Sequence, residues 1–376
     1  MDEKLESAGT ATSTRRNAIL KYSVICPICG ASSFQYNLNT RMFWNNAQDV
    51  DLQPRDYQCM KGLENYHPPL YYMWHCPQCH FTASYRYFSE PLKDVHIRPD
   101  VIQQKIRETT QSSEAFRTVV AVLGEGIDNL NPDYCQAIKL HLLGIHYYEL
   151  IETLLKQNFI ILARYYLRLA WLYRDMKDRP AILEQTAPKL FLMTEALKKA
   201  WPELPDGEEP ALRKAIKNYA LTLEDSLAMK SAVDEVNVIQ LMARIHYKLA
   251  EYRKAQVLLM DSVDRAVRAR MTIDQQLKTP PRESEQKLTA EESGELISKS
   301  RKLESLIGDA QVLLDQIRDK TYNEQMQQAK GIIAGMPGKP LEEVREALTK
   351  ARIDAKLISQ LVPEPQKKKS MFGFLR

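Results

Sequence analysis

Ala163 to Asp178 reads ARYYLRLAWLYRDMKD. Its apolar residues recur three and four positions apart, the spacing that lays a single stripe along an α-helix. Within it, Tyr166, Leu169, Ala170 and Tyr173 set a small residue between large ones. The same pattern appears at Leu140, Leu143, Gly144 and Tyr147, and at Ile239, Met242, Ala243 and His246. The last run continues through Ala250, Tyr252 and Ala255 in HYKLAEYRKA. Small residues let paired helices approach closely, while the large ones fill the space between pairs.

These stripes resemble the tetratricopeptide pattern. Moving outward from them, apolar periodicity marks helices over 100–124, 132–156, 158–177, 181–200, 209–231, 233–249 and 252–277. A long helix over 286–333 and a helical segment over 341–361 follow a Pro280-Pro281 break. Asn131-Pro132 and Asp178 to Pro180 mark helix starts, because proline is tolerated in a first turn. Leu303, Leu306, Ala310, Leu313 and Ile317 form a short heptad seam. It serves a coiled coil or the capping of an exposed helical layer. Glycine, 13 of 376 residues, is scarce, which suits long helices better than a turn-rich β fold. The expected fold is mainly α: a tetratricopeptide-like helical repeat array with a small N-terminal β-rich, zinc-ribbon-like module. The expected domains are a disordered stretch 1–20, the module 21–98, the array 99–277, a linker 278–285, helices over 286–361 and a tail 362–376.

The module carries the chemistry. Cys26-Pro27-Ile28-Cys29-Gly30 and Cys76-Pro77-Gln78-Cys79-His80 are two C-x2-C pairs. Two such pairs supply four soft thiolates, the ligand set of tetrahedral Zn2+. Proline fixes φ after the first cysteine, and Gly30 takes φ > 0 after the second. His80 follows the second pair in the place that Gly30 takes after the first, and histidine is among the residues that accept φ > 0 more readily. Four thiolates saturate the ion and leave no position for a reactive water, so structural zinc is expected. Redox dithiols and reduced core cysteines are the alternatives. Cys59, His67, His75 and His80 lie close in sequence. His75 and His80 are expected on the surface or behind the ligands, and Cys135 as a buried apolar residue. Leu70 to His75 alternates as a strand with one buried face.

The formal net charge is +4. From Tyr22 to Arg98 six basic residues balance six acidic ones, which argues against nucleic-acid binding there. Lys367, Lys368 and Lys369 with Phe372 and Phe374 end the chain in a basic, apolar tail. That tail suits weak contact with an anionic membrane surface, a docking peptide or a solvated end. The sequence holds no apolar run long enough to span a membrane, and Met1 to Leu20 lacks the apolar core of a signal peptide. A cytoplasmic location is therefore expected. No GxxxxGK[ST], GxGxxG, HExxH or GxSxG motif occurs, and no enzyme is expected.

The cysteine runs, Arg55-Asp56, and Tyr66-His67-Pro68-Pro69-Leu70-Tyr71-Tyr72, taken with ARYYLRLAWLYRDMKD, resemble the bacterial DUF2225 family of uncharacterised proteins over roughly residues 22–260. The resemblance implies a zinc-ribbon-like start on a tetratricopeptide-like region, and no activity. Stacked helices leave a concave face that takes a peptide or protein. The expected role is a non-enzymatic scaffold binding a protein or peptide partner. A nucleic-acid-associated zinc ribbon and a zinc hydrolase with an open metal position are the alternatives.

Overall fold

The computed structural model describes residues 18–89, 99–155, 159–224, 231–278 and 289–363. The basic tail at Lys367–Lys369, Phe372 and Phe374 lies outside the described residues, as do residues 1–17 and most of the expected linker. The chain is mainly helical, with twelve helices and six short strands among the described residues. It divides into two compact units, Met1–Glu251 and Tyr252–Arg376.

The first unit opens with three antiparallel hairpins: β1 (Ile19–Ile25) with β2 (Ser32–Leu38), β3 (Phe43–Gln48) with β4 (Pro54–Cys59), and β5 (Met73–His75) with β6 (Thr82–Ser84). β1 begins inside the stretch expected to be disordered, because Ile19 pairs with Leu38 and Leu20 with Asn37. The strand expected over Leu70 to His75 is shorter. Pro68 to Tyr71 form a 3-10 turn, since two prolines fix φ and remove two donors. The three residues of β5 are buried on both faces rather than one. Helices cover the second face: a Cβ on Gly144 would meet Met73.

Helices follow: α1 (Tyr85–Ser89), α2 (Pro99–Ser112), α3 (Glu114–Gly124), α4 (Tyr134–Leu155), α5 (Phe159–Lys177), α6 (Pro180–Leu197), α7 (Glu208–Glu224) and α8 (Ala232–Lys248). The helix expected over 100–124 is two helices. Ser113 leaves helical geometry, and its hydroxyl accepts from Phe116 N at 3.1 Å, so it caps α3. The stripes read from the sequence are core: Leu140, Leu143, Tyr147, Tyr166, Leu169, Ala170, Tyr173, Ile239, Met242 and Ala243 are buried, as is Cys135. The helix order departs from a run of sequential hairpins. α5 packs most extensively on α7, the next helix but one, while α6 lies against α3, α4 and α5.

Buried tyrosines tie the hairpins to the helices. Tyr147 donates to the Cys79 carbonyl at 2.6 Å, and the Tyr165 hydroxyl accepts from Ser84 N at 2.9 Å. Each satisfies a polar atom that burial would otherwise leave orphaned. The hairpins and α1–α8 are consequently one compact unit.

α8 ends in a Schellman turn, with Ala250 N donating to Tyr247 O at 3.0 Å and Glu251 N to His246 O at 2.9 Å. Ala250 sits at φ 56°, where a Cβ is strained. It lies in the gap between the helices expected over 233–249 and 252–277, and the turn fills that gap. Ala250→Gly relieves the strain, and a stabilisation of about 0.5–1 kcal/mol in urea unfolding is expected.

In the second unit, α9 (Tyr252–Lys278) lies antiparallel to α10 (Ala290–Ala334). Arg270 pairs with Glu304 at 3.3 Å, Asp274 with Ser300 at 3.5 Å, and Lys320 lies over the Tyr252 ring. Leu303, Ala310, Leu313 and Ile317 of the heptad seam are buried. Thr289 and Glu292 form a capping box that starts α10. The segment expected as one helix over 341–361 is two, α11 (Leu341–Lys350) and α12 (Ala355–Leu361), separated by Arg352 at φ 59°. Their apolar faces close a small core of Val344, Leu348, Leu357 and Ile358 against Ala329.

Candidate metal centre

The two C-x2-C pairs close β1–β2 and β5–β6 as matching turns. Cys26 N donates to Ala31 O at 2.8 Å and Gly30 N to Cys26 O at 3.0 Å. At the other turn Cys76 N donates to Phe81 O at 2.9 Å and His80 N to Cys76 O at 2.9 Å. Gly30 at φ 78° and His80 at φ 59° hold the same left-handed position. The two turns face each other. Cys26 Sγ lies 3.6 Å from Cys79 Sγ, and Cys29 Sγ lies 3.6 Å from Cys76 Sγ. All four sulfurs fall within 4.8 Å of one another, and all six cysteines are free thiols. A tetrahedron of sulfurs with metal bonds of about 2.3 Å has edges of about 3.8 Å, so the donor set fits one soft tetrahedral cation.

The electrostatics of the cluster favour a cation. The Cys26 thiol is pushed up to about 12, chiefly by its hydrogen bond to Cys76. Cys79 is raised for the same reason, by Cys26 and Cys76, whereas Cys76 is lowered because Cys26 and Cys79 donate to its thiolate. One thiolate forms and its neighbours then resist ionising. A bound cation removes that conflict and lets every sulfur ionise.

The turns are held from behind. Gln103 donates to the Pro27 carbonyl at 2.7 Å. Gln35 clamps the His75 backbone, donating to its carbonyl at 2.7 Å and accepting from its N–H at 3.1 Å. Asn129 donates to the same carbonyl at 3.1 Å. Gly124 leaves room for the His80 ring, because a Cβ there would lie 2.3 Å from His80 Nδ1.

The other nearby candidates are elsewhere. His75 and His80 pair with each other, Nε2 to Nδ1 at 3.1 Å. His75 is buried rather than on the surface, and burial followed by the nearby His80 pushes its pKa down to about 4. His67 Nε2 lies 3.1 Å from Asp175 Oδ2. Cys59 ends β4, outside the four-sulfur group.

A second constellation escaped the sequence reading. The loop between β3 and β4 drives Asp49, Asp51 and Gln53 into the helices. Arg174 of α5 spans them, with contacts to Asp51 at 2.8 and 3.0 Å, to Gln53 at 2.6 Å, to Asp49 at 3.3 Å and to Glu208 at 2.6 Å. Trp171 Nε1 donates to Asp51 at 3.1 Å. Arg55 extends the network to Asp49, Asp175 and Asp178, and Lys248 of α8 reaches Asp49 at 2.8 Å. Burial works against the Asp49 carboxylate, but Lys248, the Val50 N–H and Arg174 hold its pKa down to about 2. Burial likewise opposes the Arg174 charge, and Asp51 and Glu208 outweigh it, so its pKa is raised. The available signal was the adjacent Arg174 and Asp175 in a helix with a wide apolar face, and their partners were not legible.

A four-sulfur candidate metal centre on two hairpin turns, docked on a helical body by tyrosines and ion pairs, defines a mainly α protein with a cysteine-lined site. No described helix is long and apolar enough to cross a membrane. The chain belongs to the DUF2225 family, described as uncharacterized proteins conserved in bacteria, whose family model matches residues 19–288. No curated protein and no solved structure matches it.

Proposed function

We propose that this protein is a non-enzymatic interaction scaffold in a reducing cytoplasm, whose Cys26, Cys29, Cys76 and Cys79 hold one structural Zn2+. The observation that carries this reading is the mutual approach of all four sulfurs within 4.8 Å. A tetrahedral ion so held has every position filled, which argues for a staple and against water activation. Six free thiols favour a reducing compartment. Partner capture is supported by apolar side chains left exposed on helices, such as Phe191 at 64% and Leu192 at 69%. The partner is a protein or peptide.

X-ray absorption on the purified protein tests the metal reading. One zinc per chain with four sulfurs at about 2.3 Å is expected. A mixed nitrogen and oxygen shell would replace the scaffold with a zinc hydrolase. Cross-linking pull-down from the native cell tests the partner reading, comparing the intact chain with Phe191→Asp/Leu192→Asp and with a chain lacking residues 362–376. A discrete protein lost from the helix variant is expected. Recovery of nucleic acid instead of protein would point to the ribbon alternative.

A further inference from the structure

A cavity of about 580 Å³ lies within the first unit, between the hairpins and helices α4 and α5. Its size falls in the range of small-molecule sites. Its walls are aromatic, formed by Tyr22, Tyr57, Tyr71, Tyr72 and Trp171. Two guanidinium groups also line it. Arg168 of α5 lies over the Tyr72 ring at 3.5 Å and near the Trp171 ring at 5.7 Å. Among the described residues these π faces are its partners, and it has no carboxylate or carbonyl acceptor. Arg41 lines the cavity as well, with an exposed side chain that meets no carboxylate among the described residues.

Asp175 is the one acid in the wall. It is already committed to Gln53 at 2.8 Å, His67 at 3.1 Å and Arg55 at 3.3 Å. The acids one layer away, Asp49 and Asp51, are bound by Arg174 and Lys248. Each of these acids is therefore engaged by partners of its own, and none of them contacts Arg168 or Arg41 among the described residues. A half-buried guanidinium stacked on ring faces presents N–H donors of the kind that pair with an anion. Stacked arginine keeps its N–H edge free for bidentate pairing with carboxylate or phosphate.

We infer that this cavity binds a small planar aromatic anion, its acidic group paired with Arg168 and Arg41 and its ring laid among the tyrosines and Trp171. The tyrosine faces stack on a ring, and the guanidiniums accept either a carboxylate or a phosphate. Both a nucleotide and an aromatic carboxylic acid carry this chemistry.

The test titrates the full-length, metal-replete protein separately with adenosine 5′-monophosphate, 4-hydroxybenzoate, inorganic phosphate and phenol. Tryptophan fluorescence and calorimetry report binding. Saturable binding of one of the first two is expected, with phosphate and phenol each at least about tenfold weaker, because each lacks half of the recognition. Preference for the monophosphate assigns a nucleotide-type ligand, and preference for 4-hydroxybenzoate a carboxylate-type one. Arg168→Gln is expected to weaken binding at least about tenfold, and Arg168→Lys less, because ammonium keeps the charge but loses the fork. Arg41→Gln, on an exposed side chain, supplies a variant that keeps the fold. Absence of saturable binding to both aromatic anions overturns the inference, as does an affinity unchanged in both Arg168→Gln and Arg41→Gln.

Discussion

Cys76→Ser is expected to lower the melting temperature of the entire first unit by roughly 10–20 °C, not merely to unravel its hairpins. Binding a structural ion to four thiolates contributes folding free energy on the order of 10 kcal/mol. A unit of this size shifts by about 2–4 °C per kcal/mol, so losing even half of that energy gives the stated range. An independent head would unfold on its own and spare the helical signal, and the sequence alone leads to that expectation. The structure argues otherwise. Cys79 O is the acceptor of the buried Tyr147, Ser84 N is the donor to the buried Tyr165, and Met73 fills the space above Gly144. Releasing the second turn removes partners from the core of α4 and α5. Differential scanning calorimetry, with circular dichroism at 222 nm and metal analysis, reads the result. Metal loss that leaves the helical transition of residues up to Glu251 unmoved would show that the coupling is absent.

Arg174→Leu is expected to cost about 3–5 kcal/mol. Asp51 is fully buried, and the substitution leaves its carboxylate without the cation that compensates it. A surface ion pair would cost less than about 1 kcal/mol, so the size of the loss separates the two cases. Adding Asp51→Asn to Arg174→Leu is expected to recover part of the loss, because the uncompensated charge is then removed. Urea unfolding of the two single variants and the double variant completes the cycle. Additive losses would mean that the pair is not coupled. The same network is acid-sensitive. Asp49 has a folded pKa of about 2, below the unfolded value of about 3.9. Its contribution is therefore complete above pH 4 and is lost as pH falls through about 2.

How much of this was legible follows from the range of each interaction. The stripes at 140–147, 166–173 and 239–246 are buried in the structure, as are Leu303, Ala310, Leu313 and Ile317 of the seam. Local periodicity is enough to specify them, whatever each helix packs against. The two cysteine turns were legible for a related reason. Proline, glycine and two sulfurs at fixed spacing determine a turn without reference to the rest of the chain, and His80 at φ 59° completes the second turn in the place of a glycine. Less legible were features in which neighbouring residues tolerate two conformations. Ser113 interrupts a helix that the apolar stripe would carry through, and Ala250 takes a left-handed turn without glycine.

The sequence by itself determined the helices, their buried faces and the two sulfur-bearing turns, since each is set by residues a few positions apart. Only the tertiary structure decided that α5 packs on α7 rather than most closely on the helix after it, that Asp51 meets Arg174 across 123 positions, and that Arg168 meets ring faces and, among the described residues, no carboxylate. The physical reason is that a charge pattern records how many partners exist, whereas which of them meet depends on the path of the loop that carries them inward.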